Sequence, residues 1–129
     1  MAHDLTPEEL AFLQSAFDHA RNGDVAPLVE MIDDGVPVNL TNSAGDTLLI
    51  LAAYHLHADV VRALLARSAD HARINDRGQT ALAAATFRQH REIVLDLLAA
   101  GADPELGPKS AVAIATFFDL PDMLTLLRR

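Results

Sequence analysis

The sequence predicts an all-α solenoid of about four stacked helix-turn-helix repeats with short β-turn loops. Three observations point there. First, Gly45-Asp46-Thr47-Leu48-Leu49-Ile50-Leu51-Ala52-Ala53 recurs as Gly78-Gln79-Thr80-Ala81-Leu82-Ala83-Ala84-Ala85-Thr86, an interval of 33 residues. Second, the register persists: Asp59-Val60-Val61-Arg62-Ala63-Leu64-Leu65 matches Glu92-Ile93-Val94-Leu95-Asp96-Leu97-Leu98, and Ser68-Ala69-Asp70 matches Gly101-Ala102-Asp103. Third, the apolar residues within each copy follow helical spacing. Repetition on this scale implies units that share one continuous core, not a closed globule around a deep catalytic pocket.

The first element opens at Thr6-Pro7-Glu8-Glu9, with Thr6 as N-cap, Pro7 at the first helical position and Glu9 completing a capping box. Leu10, Leu13, Phe17 and Ala20 then form an apolar stripe, and Asn22-Gly23 ends a helix longer than those inside the array, suited to be a lid on the first unit. One period upstream of the clear copies, Ala53 falls on Ala20, Leu64-Leu65 on Met31-Ile32 and Ser68 on Gly35, so Ala20 to Val38 reads as a diverged copy. In the second unit Leu49, Ala52 and Ala53, then Val60, Val61, Leu64 and Leu65, place one apolar stripe on each of two short helices. The third unit repeats this, and the small residues Ala52, Ala53, Ala84 and Ala85 let helix backbones approach closely while leucines fill the space between units. Burying each leucine contributes roughly 1.5 to 3 kcal/mol, which must offset the entropy of ordering the chain; one pair of helices does not achieve this, so the repeats need each other.

The fourth unit is contracted. Ser110-Ala111-Val112 follows Thr80-Ala81-Leu82 after 30 residues instead of 33, and Phe117, Met123 and Leu124 then follow Phe87, Ile93 and Val94. Asp119 is expected to cap the last helix, with Pro121 in its first turn and Arg128 and Arg129 opposing the negative end of its dipole. The expected organisation is a single domain over 1–129, with units at 6–38 (N-terminal cap), 39–71, 72–104 and 105–129 (C-terminal cap). With both ends sealed, the chain reads as complete.

Composition narrows the function classes. The net charge of −8 argues against nucleic acid, because phosphate binding needs clustered Lys and Arg. No apolar run approaches the roughly 18 residues of a membrane span, and Met1-Ala2-His3-Asp4-Leu5-Thr6 lacks a signal-peptide pattern. Cysteine is absent, which excludes disulfides and thiol chemistry. A soluble cytoplasmic domain is expected. Arginine dominance over the single Lys109, with abundant alanine, suggests a GC-rich bacterial genome.

The period, the turns Asn42-Ser43-Ala44-Gly45-Asp46-Thr47 and Asn75-Asp76-Arg77-Gly78-Gln79-Thr80, and the helix ending Ala100-Gly101-Ala102-Asp103 resemble the ankyrin repeat family over roughly residues 14 to 129. The chain departs from the family's Thr-Pro-Leu-His-x-Ala signature. Leu48, Ala81 and Ala111 stand at its proline, and Ile50, Ala83 and Ala113 at its histidine, so apolar packing is expected to replace that histidine's hydrogen bonds. The resemblance implies a concave contact surface made of the turns and the exposed end of each first helix. Those helix positions are Arg21-Asn22, Tyr54-His55, Phe87-Arg88 and Phe117-Phe118. Four of the six aromatic residues lie there, the others being Phe12 and Phe17, a composition suited to an interaction hot spot. Ser43, Ala44, Asp46, Asp76, Arg77 and Gln79 would form its polar rim. The competing structural reading makes Tyr54 and Phe87 filling, and Phe117 and Phe118 a cover over the end of the core.

The histidines His3, His19, His55, His57, His71 and His90 raise a haem or metal reading centred on His55, but His55 and His57 fall on different sides of a helix and no zinc-type ligand set completes them. His57 and His90 match the family's histidine before the second helix, which implies structural roles. Ser15, Ser43, Ser68 and Ser110 lack a nucleophile-elbow context, and the glycines form no phosphate loop. The acidic group Asp18, Asp24, Glu30, Asp33 and Asp34 reads as a solvated capping face or, alternatively, a basic partner's site. The expected function is a non-enzymatic, cofactor-free, monomeric protein-binding module using Tyr54, His55, Phe87, Arg88, Phe117, Phe118, Asp46, Arg77 and Gln79. Alternatives are an accessory factor that handles haem or a metal, and a self-associating scaffold. The likeness to small stand-alone bacterial ankyrin proteins linked to catalases implies a catalase as one candidate partner.

Overall fold

The computed structural model describes residues 5–128; His3 of the histidine set and Arg129 of the last helix end lie outside them. Eight helices occur among the described residues: α1 Pro7–Asn22, α2 Val25–Asp33, α3 Leu48–Tyr54, α4 Ala58–Ala66, α5 Ala81–Phe87, α6 Arg91–Ala99, α7 Ala111–Phe117 and α8 Pro121–Leu127. They form four pairs in two layers. Helices α1, α3, α5 and α7 contact one another in sequence, as do α2, α4, α6 and α8. Extended pairing is confined, among these residues, to the bridge between Thr41 and Thr47.

The expected single stripe describes the outer layer and not the inner one. In α4 and α6 the buried residues are Val60, Val61 and Leu64, then Ile93, Val94 and Leu97; Leu65 is half-buried. In α3, by contrast, every residue from Leu48 to Ala53 is buried, and in α5 every residue from Ala81 to Thr86. Each of these seven-residue helices is flanked by inner-layer neighbours on both sides and backed by its own partner, so no face except the C-terminal end reaches solvent. Ile50 and Ala83, in place of the signature histidine, are part of this burial, but Ala113 is exposed.

Capping fixes where the inner helices begin. Thr47, Thr80 and Ser110 each accept a hydrogen bond through the side-chain oxygen from the third residue on, at 3.1 Å in all three cases. At α1 the capping box closes as the sequence requires: Glu9 N donates to Thr6 Oγ1 at 3.1 Å and Thr6 N donates to Glu9 Oε1 at 3.0 Å. Gly23, left-handed at φ 79°, ends that helix. Leu10 corrects the predicted stripe, being 47% exposed. The buried face is Ala16, Phe17 and Ala20, because α1 has 16 residues against seven in α3 and its first turns run past that neighbour. The C-terminal cap is also corrected. Leu120, not Asp119, is the N-cap of α8 and makes no side-chain cap bond. Asp119 instead adopts φ 53°, the left-handed turn that Leu56 (φ 69°) and Gln89 (φ 56°) make before α4 and α6.

The β-turns before α3 and α5 are each built on one asparagine. Asn42 Oδ1 accepts from Ala44 N (3.0 Å) and Asp46 N (2.9 Å), and Asn75 Oδ1 accepts from Arg77 N and Gln79 N, both at 3.0 Å. Turn then grips turn: Asp76 N donates to Ala44 O at 3.0 Å, Lys109 N to Gly78 O at 3.2 Å, and Asn75 Nδ2 to Asp46 Oδ1 at 2.8 Å. Gly45 sits at this junction with φ 76°, where a Cβ would come within 2.8 Å of Asp76 Oδ1 and 3.1 Å of Asp76 N. Gly45→Ala is therefore expected to destabilise the fold by about 1 to 2 kcal/mol from the left-handed backbone alone, with displacement of the Asp76 turn adding to it. A urea melt checks this.

Candidate protein-docking groove

The C-terminal ends of α3, α5 and α7 open onto the same side of the stack. Repetition puts equivalent positions in line, and the rings there touch. Tyr54 and Phe87 are stacked with centroids 6.5 Å apart and planes 6° from parallel. Phe87 meets Phe118 edge-on at 5.5 Å, and Phe118 meets Phe117 edge-on at 4.9 Å. These are preferred aromatic geometries. Exposure rises along the row. Tyr54 is half-buried, Phe87 is 40% exposed, Phe118 50% and Phe117 81%. Phe17, buried at 3%, belongs to the core, while Phe12, 54% exposed, lies on α1 away from this row.

Arg88 is tied to the row. Its Nη1 donates to the Tyr54 carbonyl at 2.9 Å, and its guanidinium carbon stands 5.1 Å from the Tyr54 ring centroid. His55 packs edge-on to Tyr54 at 5.3 Å. Partial burial holds its imidazole below the usual histidine range, reinforced by positive charge at Arg21, His57 and Arg88 and opposed by Asp46. The folded chain thus favours the neutral ring, so the stability His55 contributes is complete above the unfolded value of 6.5 and declines as pH falls through the folded value. The His55 midpoint in an NMR titration is expected below 6.5, and Arg21→Ala should move it upward.

Of the predicted rim, Arg77 and Gln79 line the turn side, Arg77 exposed and Gln79 half-buried. Asp46 departs from its expected place. It is 6% exposed, accepts from Asn75 Nδ2, and lies 3.6 Å from Arg77 Nη2, which makes it a brace between turns. Sequence reasoning also missed the pocket beside the row, an open space of about 500 Å³ lined by Gln79, Phe87, Pro108, Lys109, Ala113, Ile114, Phe117 and Phe118. Two signals were present: the three-residue contraction of the fourth turn and the isolation of the single lysine within it.

Three further histidines are engaged. His57 Nε2 donates to the Arg21 carbonyl at 2.7 Å, His90 Nδ1 accepts from Ile93 N at 3.3 Å, and His19 pairs with Asp24 at 3.2 Å. No group of three or more His, Cys, Asp or Glu among the described residues is placed to hold a metal. In the acidic first unit, Asp18 pairs with Arg21, Asp24 with His19, and Asp33 with Arg67. Arg67 holds the Asp33 carboxyl below its ordinary range. No helix among these residues is long and apolar enough to cross a membrane.

Stacked helix pairs with a lateral row of rings define a helical repeat protein with an open pocket at one end of that row. Residues 16–107 match the family profile described as ankyrin repeats, three copies, and the chain belongs to the ankyrin repeat family. It is similar to a Pseudomonas aeruginosa protein named for its ankyrin repeats, 46% identical over 59 residues, which is 46% of this chain and 34% of that protein. It is also similar to human ankyrin repeat domain-containing protein 29, 41% identical over 64 residues, 49% of this chain and 21% of that one. The matched stretches thus span about a third and a fifth of these relatives. Ankyrin repeats are in general protein–protein interaction modules, using the concave surface that stacking creates.

Proposed function

We propose that this chain is a non-enzymatic docking module that seats a partner protein along Tyr54, Phe87, Phe118 and Phe117, with His55, Arg88, Arg77 and Gln79 at the margins. The observation that carries the reading is the row itself: four rings in mutual contact, ending in a phenylalanine that is 81% exposed. A chain does not gain stability from a ring so placed, whereas a partner that covers it gains its apolar area. The helices that carry Tyr54 and Phe87 are capped and buried, so little conformational entropy is lost there on docking.

The test is capture from the host with tagged wild-type chain and with the Phe87→Ala and Phe117→Ala variants. A partner held by the wild type and released by both variants supports the groove, and a partner held equally by all three removes it. A catalase among the released proteins would meet the expectation raised by the family resemblance. Sedimentation of the purified chain reads the expected monomer.

A further inference from the structure

We infer that the groove takes an acidic polypeptide segment with bulky apolar side chains, anchored in the pocket at the C-terminal end of the row with a carboxylate on Lys109; this rests on the docking reading above. Lys109 is the cation that lines the pocket, and no carboxylate lies within ion-pair distance of it among the described residues. The neighbouring cations are engaged: Arg88 on the Tyr54 carbonyl and ring, Arg77 with Asp46. A chain of net charge −8 therefore presents an uncommitted positive charge beside Phe87, Phe117 and Phe118. Lys109 is exposed at the pocket's edge, so the ion pair it forms there is a rim contact that orients the segment beside the rings.

The spacing favours a polypeptide over a small molecule. Ring-to-ring steps along the row are 6.5, 5.5 and 4.9 Å. Side chains on one face of a bound segment recur at about 6.6 Å for every second residue of a strand and about 6 Å for every fourth residue of a helix. Side chains on one face of a segment can thus meet Tyr54 and Phe87 in turn while its end reaches the pocket at Phe117 and Phe118.

The experiment selects a displayed library of random twelve-residue peptides on the full-length chain, then measures the enriched peptides against variants. The expected peptides pair a bulky apolar residue with Asp or Glu. Their affinity falls at least tenfold in Phe117→Ala and severalfold in Lys109→Gln, and Lys109→Glu shifts the selection towards Lys and Arg. Neutral or basic peptides that lose affinity in Phe117→Ala but ignore Lys109→Glu overturn the acidic partner and leave the groove standing. Peptides unaffected by both Phe117→Ala and Phe87→Ala overturn the groove reading itself. A library that yields no binder overturns the linear segment. A concentration-dependent dimer that Phe117→Ala dissolves seats a second copy there and overturns the inference as well. Circular dichroism of each variant separates these outcomes from misfolding.

Discussion

Leu82→Ala is expected to lower the unfolding free energy by about 2 to 5 kcal/mol, the range for removing a buried leucine side chain and leaving its cavity behind. The upper part of that range applies, because Leu82 is wholly buried in α5, whose neighbours are α3, α6 and α7. Relaxation into the cavity would require moving a helix held on three sides. The stack also amplifies the loss, since a repeat's stability includes its interfaces with both neighbours. The urea midpoint should fall with the slope little changed if the array unfolds as one unit. Leu10→Ala is the control: that side chain is 47% exposed, and its loss should cost within about 0.5 kcal/mol. A midpoint that Leu82→Ala leaves in place would contradict the layered core.

The architecture was legible because repetition is a long-range signal. Two copies at the same interval constrain each other, so the positions of α3, α4, α5 and α6 followed from comparing the chain with itself, and Thr6 starts α1 where its type indicates. What was not legible depends on neighbours that one unit does not contain. Leu10 fits a helical stripe, but whether a stripe is covered depends on the length of the next helix. Asp119 has good cap chemistry, yet the backbone needs a left-handed residue there, as at Leu56 and Gln89, and that geometry leaves no mark in composition. Asp46 looked like a rim residue since turns are usually solvated. Its burial arises from Asn75 and Arg77 of the next turn closing over it. The alignment of Tyr54 with Phe87 could be read from the period, whereas the pocket at Lys109 could not, since it is formed where the period fails.

Substitutions along the row are expected to separate affinity from stability in a graded way. Phe87→Ala should weaken partner binding by more than about 1 kcal/mol, as for a central aromatic contact. It removes the ring that touches both Tyr54 and Phe118, so the two halves of the row lose contact. Tyr54→Ala should weaken binding by more than about 1 kcal/mol too, but with a larger stability cost, because Tyr54 is half-buried and its ring is a platform for the Arg88 guanidinium. That contact is worth about 0.5 to 1 kcal/mol at an exposed site. Since the two rings touch, the double variant should lose less affinity than the two single losses added together. The measurement is calorimetric titration of the captured partner alongside urea melts of each variant. Losses that appear only in the melts would make these rings part of the core, whereas losses in the titrations with nearly unchanged melts at Phe87 are what a docking surface requires.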